Sequence, residues 1–204
     1  MSEEFEQRAG ELVDAGRTLY LQGMAPATSG NLSAKLFDGA LAVTVSGRHK
    51  GKLTTADIMR VDAKGHSLDG RKPSAETRLH LQIYNRDQHA RAVLHPHSVN
   101  ATLLSKHHAS RLLLQDYELL KAFPGIDTHQ YSLSVPIFDN DQNIGRLADQ
   151  VDRWMTGHAD PIFGYLIKGH GFYTWGDSVE SAMRHVEAFE FLFECEMRMR
   201  YFKK

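Results

Sequence analysis

Two histidines, His95 and His97, flank a proline at the end of the apolar run Ala92–Leu94. Alternate residues of an extended strand point to the same face, so the two imidazoles can converge on one point. Neutral imidazoles at a rigid strand end are good ligands for a divalent transition metal. A third candidate is His170, in the segment Gly169–Gly171. If the fold brings it beside the pair, the result is a metal centre with an open position, which is typical of catalytic sites.

Three short loops combine glycines or hydroxyl-bearing residues with other donors: Ser29–Asn31, Ser46–Gly47 followed by Lys50, and Pro73–Ser74 at a helix start. Glycine lets the backbone approach an anion closely, and a helix N-terminus offers free N–H groups. The hydroxyls and the lysine add further donors. Each loop by itself is more typical of an ordinary turn or helix cap. An anion site therefore requires that the fold bring the three loops together.

Two glutamates are candidates for proton transfer. Glu76 lies at the start of a helix, where an acidic residue ordinarily complements the helix dipole. Glu118 lies between the leucine-rich segments 112–114 and 119–120, where a carboxylate is conspicuous. The ordinary interpretation of Glu118 is the solvated side of an amphipathic helix. The residues alone leave both interpretations open.

Hydrophobic periodicity places these residues on alternating helices and strands. Helices are predicted over residues 5–20, 98–107 and 144–155. A further helix opens at 73–76 and extends to 84, and the last extends from 177 towards the C-terminus. Strands are predicted at 32–37, 41–45, 58–61, 91–95, 130–138, 163–167 and 172–175, whereas 112–122 has no clear pattern. No repeat or linker interrupts the chain. The mixture predicts one α/β domain over residues 1–204, with helices packed on a sheet.

The composition excludes several classes of protein. The chain has 204 residues, 42% hydrophobic and 24% charged, as in an ordinary globular domain. Its formal charge of −1 gives no reason to expect nucleic acid or an anionic membrane as a partner. Cys195 is the only cysteine, which excludes an intrachain disulfide and a multi-cysteine zinc site. With no secretory signal and no apolar run of about 18 residues, we expect a cytoplasmic protein outside the membrane.

Taken in order, five motifs resemble the class II aldolase/adducin family. They are Ser29–Asn31, Ser46–Gly51, Lys72–Thr77, His95–Ser98 and Gly169–Gly171. The resemblance extends from about residue 6 to residue 195, and the ordered set is far more specific than any single motif. It implies a three-layer α/β/α fold around a mostly antiparallel sheet. It also implies a homotetramer with sites near the subunit interfaces.

The resemblance further implies a zinc ion held by three histidines and a phosphate subsite, for a sugar-phosphate substrate, built from three loops. The zinc ligands it implies are His95, His97 and His170. The phosphate residues it implies are Asn31, Ser46, Gly47 and Ser74, with Lys50 nearby.

Within the family, the glutamate that handles the proton differs between activities. In the aldolases it matches Glu76, and in the dehydratases it matches Glu118. The extension Tyr173–Gly176 after the third histidine, and Glu118 ahead of Leu-Leu-Lys, resemble the dehydratases. We therefore expect a zinc-dependent sugar-phosphate dehydratase whose Glu118 projects into the metal cavity. Glu76 would assist, orient the metal centre or be a relic without a role in dehydration.

Two alternatives remain. An aldolase or a pentulose-phosphate 4-epimerase would use the same metal and phosphate sites, with a tyrosine or acid near the C-terminus reaching a neighbour's site. Tyr201 is available for that role. A non-catalytic binding module of the adducin type need not keep the metal ligands. All three candidate ligands are present here, which disfavours such a module.

Overall fold

A central sheet of eight strands organises the computed structural model of the chain, which describes residues 2–158 and 160–202. The strands are β1 (Asn31–Lys35), β2 (Leu41–Thr44), β3 (Ile58–Val61), β4 (Ala92–His95), β5 (Arg111–Gln115), β6 (Ser132–Phe138), β7 (Gly164–Ile167) and β8 (Gly171–Gly176). Their order across the sheet is β3-β2-β1-β4-β8-β7-β6-β5. Among the paired strands of this sheet, β6 and β7 run parallel, and each of the other pairs is antiparallel.

Helices cover both faces of the sheet. They are α1 (Glu3–Leu21), α2 (Thr77–Arg86), α3 (Val99–His107), α4 (Ile144–Thr156) and α5 (Val179–Phe202). One apolar core lies between the sheet and α1, α3 and α5, and the other lies between the sheet and α2 and α4. Leu166 of β7 packs in the first core, and its neighbours Tyr165 and Ile167 pack in the second, as strand alternation requires. The three-layer α/β/α fold predicted from the sequence is confirmed.

The predicted elements differ from the observed ones mainly at two places. Segment 112–122 divides into strand β5 and a short 3₁₀ helix, Glu118–Ala122. Helix α2 begins at Thr77, later than the predicted 73–76. The reason is that Pro73 forms an isolated antiparallel bridge with Val45, so the chain is still extended there. Two further 3₁₀ helices, Lys50–Lys52 and Thr55–Asp57, lie between β2 and β3.

Within residues 2–158 and 160–202, no helix combines the length and the apolar character that spanning a membrane would need.

Candidate active site

Three histidines meet at the centre of the sheet. His95 is the last residue of β4, and His97 follows two residues later. His170 lies in the turn between β7 and β8, and β8 is the antiparallel neighbour of β4. The Nε2 atoms of His95 and His97 are 2.9 Å apart. The ring centroids of His97 and His170 are 4.4 Å apart. The fold therefore brings together the three histidines that the sequence singled out.

Two glycines allow the strands around this cluster to approach closely. Gly171 begins β8, and a Cβ atom there would lie 2.3 Å from the carbonyl oxygen of Pro96. Gly30 precedes β1 with a φ of +77°, and a Cβ atom there would lie 2.8 Å from the carbonyl oxygen of His95. Neither separation is compatible with a side chain. Glycine at these two positions thus fixes the spacing of β1, β4 and β8 around the histidines.

Helix α3 fixes both segments that carry the histidines. Ser98, directly after His97, is the N-cap of α3, and its hydroxyl accepts a hydrogen bond from the backbone N–H of Ala101 at 3.0 Å. Further along α3, the Thr102 hydroxyl donates to the carbonyl oxygen of His170 at 3.0 Å. One helix therefore orients two chain segments that are more than 70 residues apart in the sequence.

The protonation of the histidines suits metal binding. His95 is fully buried, and its Nδ1 donates to the carbonyl oxygen of Phe172 at 2.8 Å, so its Nε2 presents a lone pair to the cluster. Burial lowers the pKa of His95 well below its ordinary value. Burial also lowers the pKa of His97 to about 3. Both rings are therefore neutral at physiological pH, which is the form that ligates a metal.

A carboxylate completes the cluster. Oε1 of Glu76 is 3.3 Å from Nε2 of His170, and Oε2 is 3.6 Å from Nε2 of His95. One ligand atom from each of the four side chains lies within 4.8 Å of the others. Three imidazoles and one carboxylate are a donor set that fits a divalent transition metal such as zinc. Glu76 is the N-cap of α2, but its carboxylate makes no side-chain capping bond and lies against the histidines instead.

A cavity of about 210 Å³ lies against this cluster. Its walls include every residue of the predicted phosphate subsite together with one histidine and the carboxylate of the cluster. These residues are Asn31, Ser46, Gly47, Lys50, Ser74, Glu76 and His97, with Thr28 and Ser29 beside them. The backbone N–H of Ser46 donates to the carbonyl oxygen of Lys72 at 3.2 Å, which ties the second loop to the third. The three loops that are distant in sequence thus share one concave surface.

Lys50 is a buried cation in the wall of this cavity. Only 2% of the residue is exposed, and its Nζ donates to the carbonyl oxygens of Thr28 at 3.1 Å and Arg48 at 2.7 Å. Burial lowers the pKa of Lys50 to about 8, although the charge of Glu76 opposes the shift. The side chain therefore joins two of the cavity loops and holds a positive charge beside them at neutral pH.

His80 was not identified from the sequence, yet it lies directly behind the site. It is fully buried on α2, one helical turn after Glu76. Its Nε2 contacts Oδ1 of Asn31, and its Nδ1 is 2.6 Å from the hydroxyl of Ser33. The spacing of four residues between Glu76 and His80 places both on one face of a helix and could have indicated this residue.

Glu118 lies apart from the cluster within the subunit. It begins the 3₁₀ helix that follows β5, its side chain is 74% exposed, and it accepts a hydrogen bond from Lys121 at 2.7 Å. That hydrogen bond lowers the pKa of Glu118. Strand β5 is an edge strand, four strands from β4, or about 19 Å at ordinary strand spacing. The fold does not bring Glu118 into the cavity of its own subunit, and its catalytic role stays a prediction.

Tyr201, the candidate residue for the aldolase or 4-epimerase alternative, has its side chain outside the described part of the chain. Tyr173 and Trp175 of β8 are both buried. The Tyr173 ring stacks on His95 with centroids 3.9 Å apart and so forms the floor under that ligand.

Comparison with known proteins identifies the family. The family model of the class II aldolase and adducin N-terminal domain matches residues 10–197. The chain belongs to this family. Within the class II aldolase and adducin family, the chain is 58% identical over 201 residues to a methylthioribulose-1-phosphate dehydratase of Methylococcus capsulatus, a match that covers 98% of each chain.

Two further comparisons agree. A methylthioribulose-1-phosphate dehydratase of Pseudomonas paraeruginosa is 55% identical, again over 98% of each chain. Among solved structures, the L-fuculose-1-phosphate aldolase of Thermus thermophilus superposes with a TM-score of 0.77 at 26% identity, covering 97% of this chain and 98% of the aldolase. The class II aldolase fold is therefore shared with a solved structure, and the matches to the relatives and to that structure each extend over nearly the whole chain.

Proposed function

We propose that this protein dehydrates 5-methylthioribulose 1-phosphate to 2,3-diketo-5-methylthiopentyl 1-phosphate, a step of methionine salvage. In this proposal the protein is a cytoplasmic homotetramer, and each subunit binds one zinc ion. The names of relatives at 58% and 55% identity support this substrate. The observation that carries the proposal is the shared wall of the cavity, in which the anion-binding loops adjoin His97 and Glu76. A ketose 1-phosphate requires this adjacency, because its C2 carbonyl lies only one carbon from the phosphate ester.

The loops would hold the phosphate. Asn31, Ser46 and Ser74 offer side-chain donors, and Gly47 exposes its backbone N–H at a positive φ of 74°, where a Cβ atom would meet open space. Lys50 supplies the positive charge. Because the phosphate is ionised, its hydrogen bonds are roughly twice as strong as those between two neutral groups, so this end would anchor and orient the substrate.

The metal ligands would be His95, His97 and His170, with Glu76 as a fourth donor that a substrate can replace. A zinc ion held there would act as a Lewis acid towards the C2 carbonyl and C3 hydroxyl oxygens and so make the C3 proton acidic. The stacked ring of Tyr173 and the hydrogen bond to Phe172 keep the His95 imidazole fixed. Fixed ligands lower the cost of reorganisation during the reaction.

Proton transfer is the remaining step. Removal of the C3 proton gives an enediolate, and departure of the C4 hydroxyl with a proton releases water and leaves an enol that becomes the 2,3-diketone. We assign both transfers to Glu118, acting as base towards C3 and as acid towards the C4 oxygen. Because Glu118 is exposed at an edge of its own subunit, it would act in the cavity of a neighbouring subunit. The exposed position supports this arrangement, since a carboxylate whose hydrogen-bond partner is the exposed Lys121 can reach another surface.

The deciding experiment is incubation of the zinc-loaded protein with 5-methylthioribulose 1-phosphate while the absorbance of the diketone is followed. We expect diketone to form with one equivalent of water lost and no carbon–carbon cleavage. A parallel coupled assay for dihydroxyacetone phosphate tests the aldolase alternative, and chromatography of the recovered ketose tests the 4-epimerase. Triose formation or an epimerised pentulose without diketone would contradict the proposal.

A further inference from the structure

A chain of buried polar groups runs behind the metal cluster and ends on Glu76. Nδ2 of Asn31 donates to Oε2 of Glu76 at 2.6 Å, and Oδ1 of the same amide contacts Nε2 of His80. Nδ1 of His80 is 2.6 Å from the hydroxyl of Ser33, which is 2.8 Å from the hydroxyl of Tyr84. The four residues behind Glu76 are each at most 4% exposed. Polar groups this deeply buried are costly unless every one of them is hydrogen-bonded.

The direction of these hydrogen bonds is determined by the carboxylate. An ionised carboxylate only accepts, so the Asn31 amide must present its N–H to Glu76 and its oxygen to His80. The amide oxygen also only accepts, so Nε2 of His80 must carry the proton. Burial lowers the pKa of His80 to about 4, so the ring is neutral and holds a single proton. Its Nδ1 therefore accepts from Ser33.

The geometry points to a role that no other observation in the site assigns: we propose that His80 is a positioning residue. Its Nε2–H fixes the orientation of the Asn31 amide, and that amide fixes the Glu76 carboxylate beside the metal ligands. Without a donor at this place, the Asn31 amide keeps its hydrogen bond to Glu76 but loses the partner that restrains its oxygen. The amide can then shift or rotate, and it no longer holds Glu76 at 3.3 Å and 3.6 Å from the nitrogens of His170 and His95.

Asn31 gives this orientation a second consequence. The same amide lines the cavity in which the phosphate is proposed to bind. His80 would therefore couple the carboxylate at the metal end of the cavity to a donor at the anion end. The inference rests on the proposed function for its kinetic consequence, whereas its consequence for metal binding depends only on the cluster.

The test compares three substitutions of one residue. The amide nitrogen of glutamine can reach the place of Nε2, so His80→Gln keeps the donor to Asn31. The shorter His80→Asn reaches only the place of Nδ1, and His80→Phe supplies neither group. His185→Phe is the matched control, because His185 is also buried and neutral, but its Nδ1 donates to the carbonyl oxygen of Trp175 at the opposite end of β8.

The measurements are Co²⁺ affinity by competition with a chelator, the visible spectrum of the Co²⁺-loaded protein, and kcat and KM with methylthioribulose 1-phosphate. We expect His80→Phe and His80→Asn to lower Co²⁺ affinity by about 10-fold to 100-fold, to alter the Co²⁺ spectrum, and to lower kcat more than they raise KM. His80→Gln and His185→Phe should stay within about 3-fold of the unmodified protein in Co²⁺ affinity.

If His80→Phe does not fold, the pair His80→Gln and His80→Asn decides the question. Equal Co²⁺ affinities and unchanged spectra in these two variants would overturn the inference, as would a His80→Phe protein that binds Co²⁺ as His185→Phe does. Failure of the unmodified protein to form diketone would instead overturn the proposed function. The difference in Co²⁺ affinity among the variants would still test the role of His80.

Discussion

At the scale of single residues, the site combines groups that are unfavourable to bury with contacts that compensate for burial. His95 has no exposed surface, yet both ring nitrogens have a partner, the Phe172 carbonyl at one side and the histidine cluster at the other. Lys50 is nearly as buried, and its ammonium group is bonded to two backbone carbonyl oxygens. Buried ionisable groups with specific hydrogen-bond partners are typical of functional sites, where burial and neighbouring groups shift their pKa values.

The metal centre is tested by His97→Ala. Removing one of three imidazoles should reduce bound zinc from about one per subunit to a small fraction and abolish turnover. Metal content after dialysis against a weak chelator, measured by mass spectrometry, checks this outcome. His66→Ala is the control, because His66 is exposed, pairs with Asp62 and is not part of the cluster. A His97→Ala protein that keeps its zinc and its activity would show that the cluster is not the metal site.

Lys50 makes a prediction about pH. Its pKa is lowered to about 8, so the ammonium charge is present below that pH and is lost as the pH rises through it. We expect KM to rise above about pH 8, by up to about tenfold per pH unit, with kcat changing less. Lys50→Met should raise KM at pH 7 and remove the rise above pH 8. Lys52→Met, at an exposed neighbouring position, should leave the profile unchanged. A rise in KM that persists in Lys50→Met would assign it to another group.

At the scale of elements, the site depends on three neighbouring strands, which approach closely because glycines stand at the points of contact. Strand β4 supplies His95, the turn before β8 supplies His170, and the first residue of β1, Asn31, pairs with His95 in the sheet. Antiparallel pairing places the end of β4 beside the start of β8. The close approach at Gly171 is therefore a requirement of the metal site as well as of the sheet.

Gly171→Ala tests that requirement. A Cβ atom 2.3 Å from the Pro96 oxygen must push β8 away from β4. We expect a loss of about 1–3 kcal/mol in the free energy of unfolding, together with weaker zinc binding.

Gly10→Ala is the control: Gly10 lies within α1, and a Cβ atom there would meet nothing within 4 Å. That substitution should stabilise the protein by about 0.5–1 kcal/mol without changing zinc content. Thermal unfolding and metal analysis measure both effects. Unchanged zinc affinity in Gly171→Ala would show that the strand spacing is not critical.

At the scale of the whole molecule, the separation between Glu118 and the cluster makes an intersubunit site the arrangement to test. Glu118→Gln should lower kcat by about 10²–10⁴-fold and leave zinc content intact. Glu118→Gln and His97→Ala subunits are each expected to be inactive alone. When equal amounts are mixed and reassembled, about a quarter of the sites should combine intact histidines with a neighbour's intact Glu118, and about a quarter of the unmodified activity should return. Activity assays on the mixed and separate proteins, with the mass of the assembly from light scattering, check this result.

Mixtures that stay inactive would contradict the intersubunit role of Glu118. Glu76→Gln distinguishes the two proton-transfer schemes. If Glu76→Gln abolishes dehydration while Glu118→Gln barely changes it, the carboxylate in the cluster carries the proton, as in the aldolase scheme.

From the sequence, the alternation of helices and strands and the three candidate histidines could be predicted, and the motif resemblance implied the three layers of the fold. Periodicity and strand alternation depend on near neighbours, so β4, β7 and α4 could be predicted within a residue or two. The spacing of His95 and His97 likewise indicated a shared face of one strand. The motif resemblance named the loops of Asn31, Ser46 and Ser74, although no local pattern showed that they share a cavity.

Only the tertiary structure decided how these parts meet. The approach of β8 to β4, the orientation of Glu76 towards the histidines and the contact of His80 with Asn31 join residues that are between 19 and 94 positions apart in the sequence. Such contacts depend on the packing of a whole sheet, which a short stretch of sequence does not encode. Glu118 is exposed at an edge of the sheet for the same reason. The order of the strands across the sheet, and not proximity in sequence, sets the distance between Glu118 and the histidines.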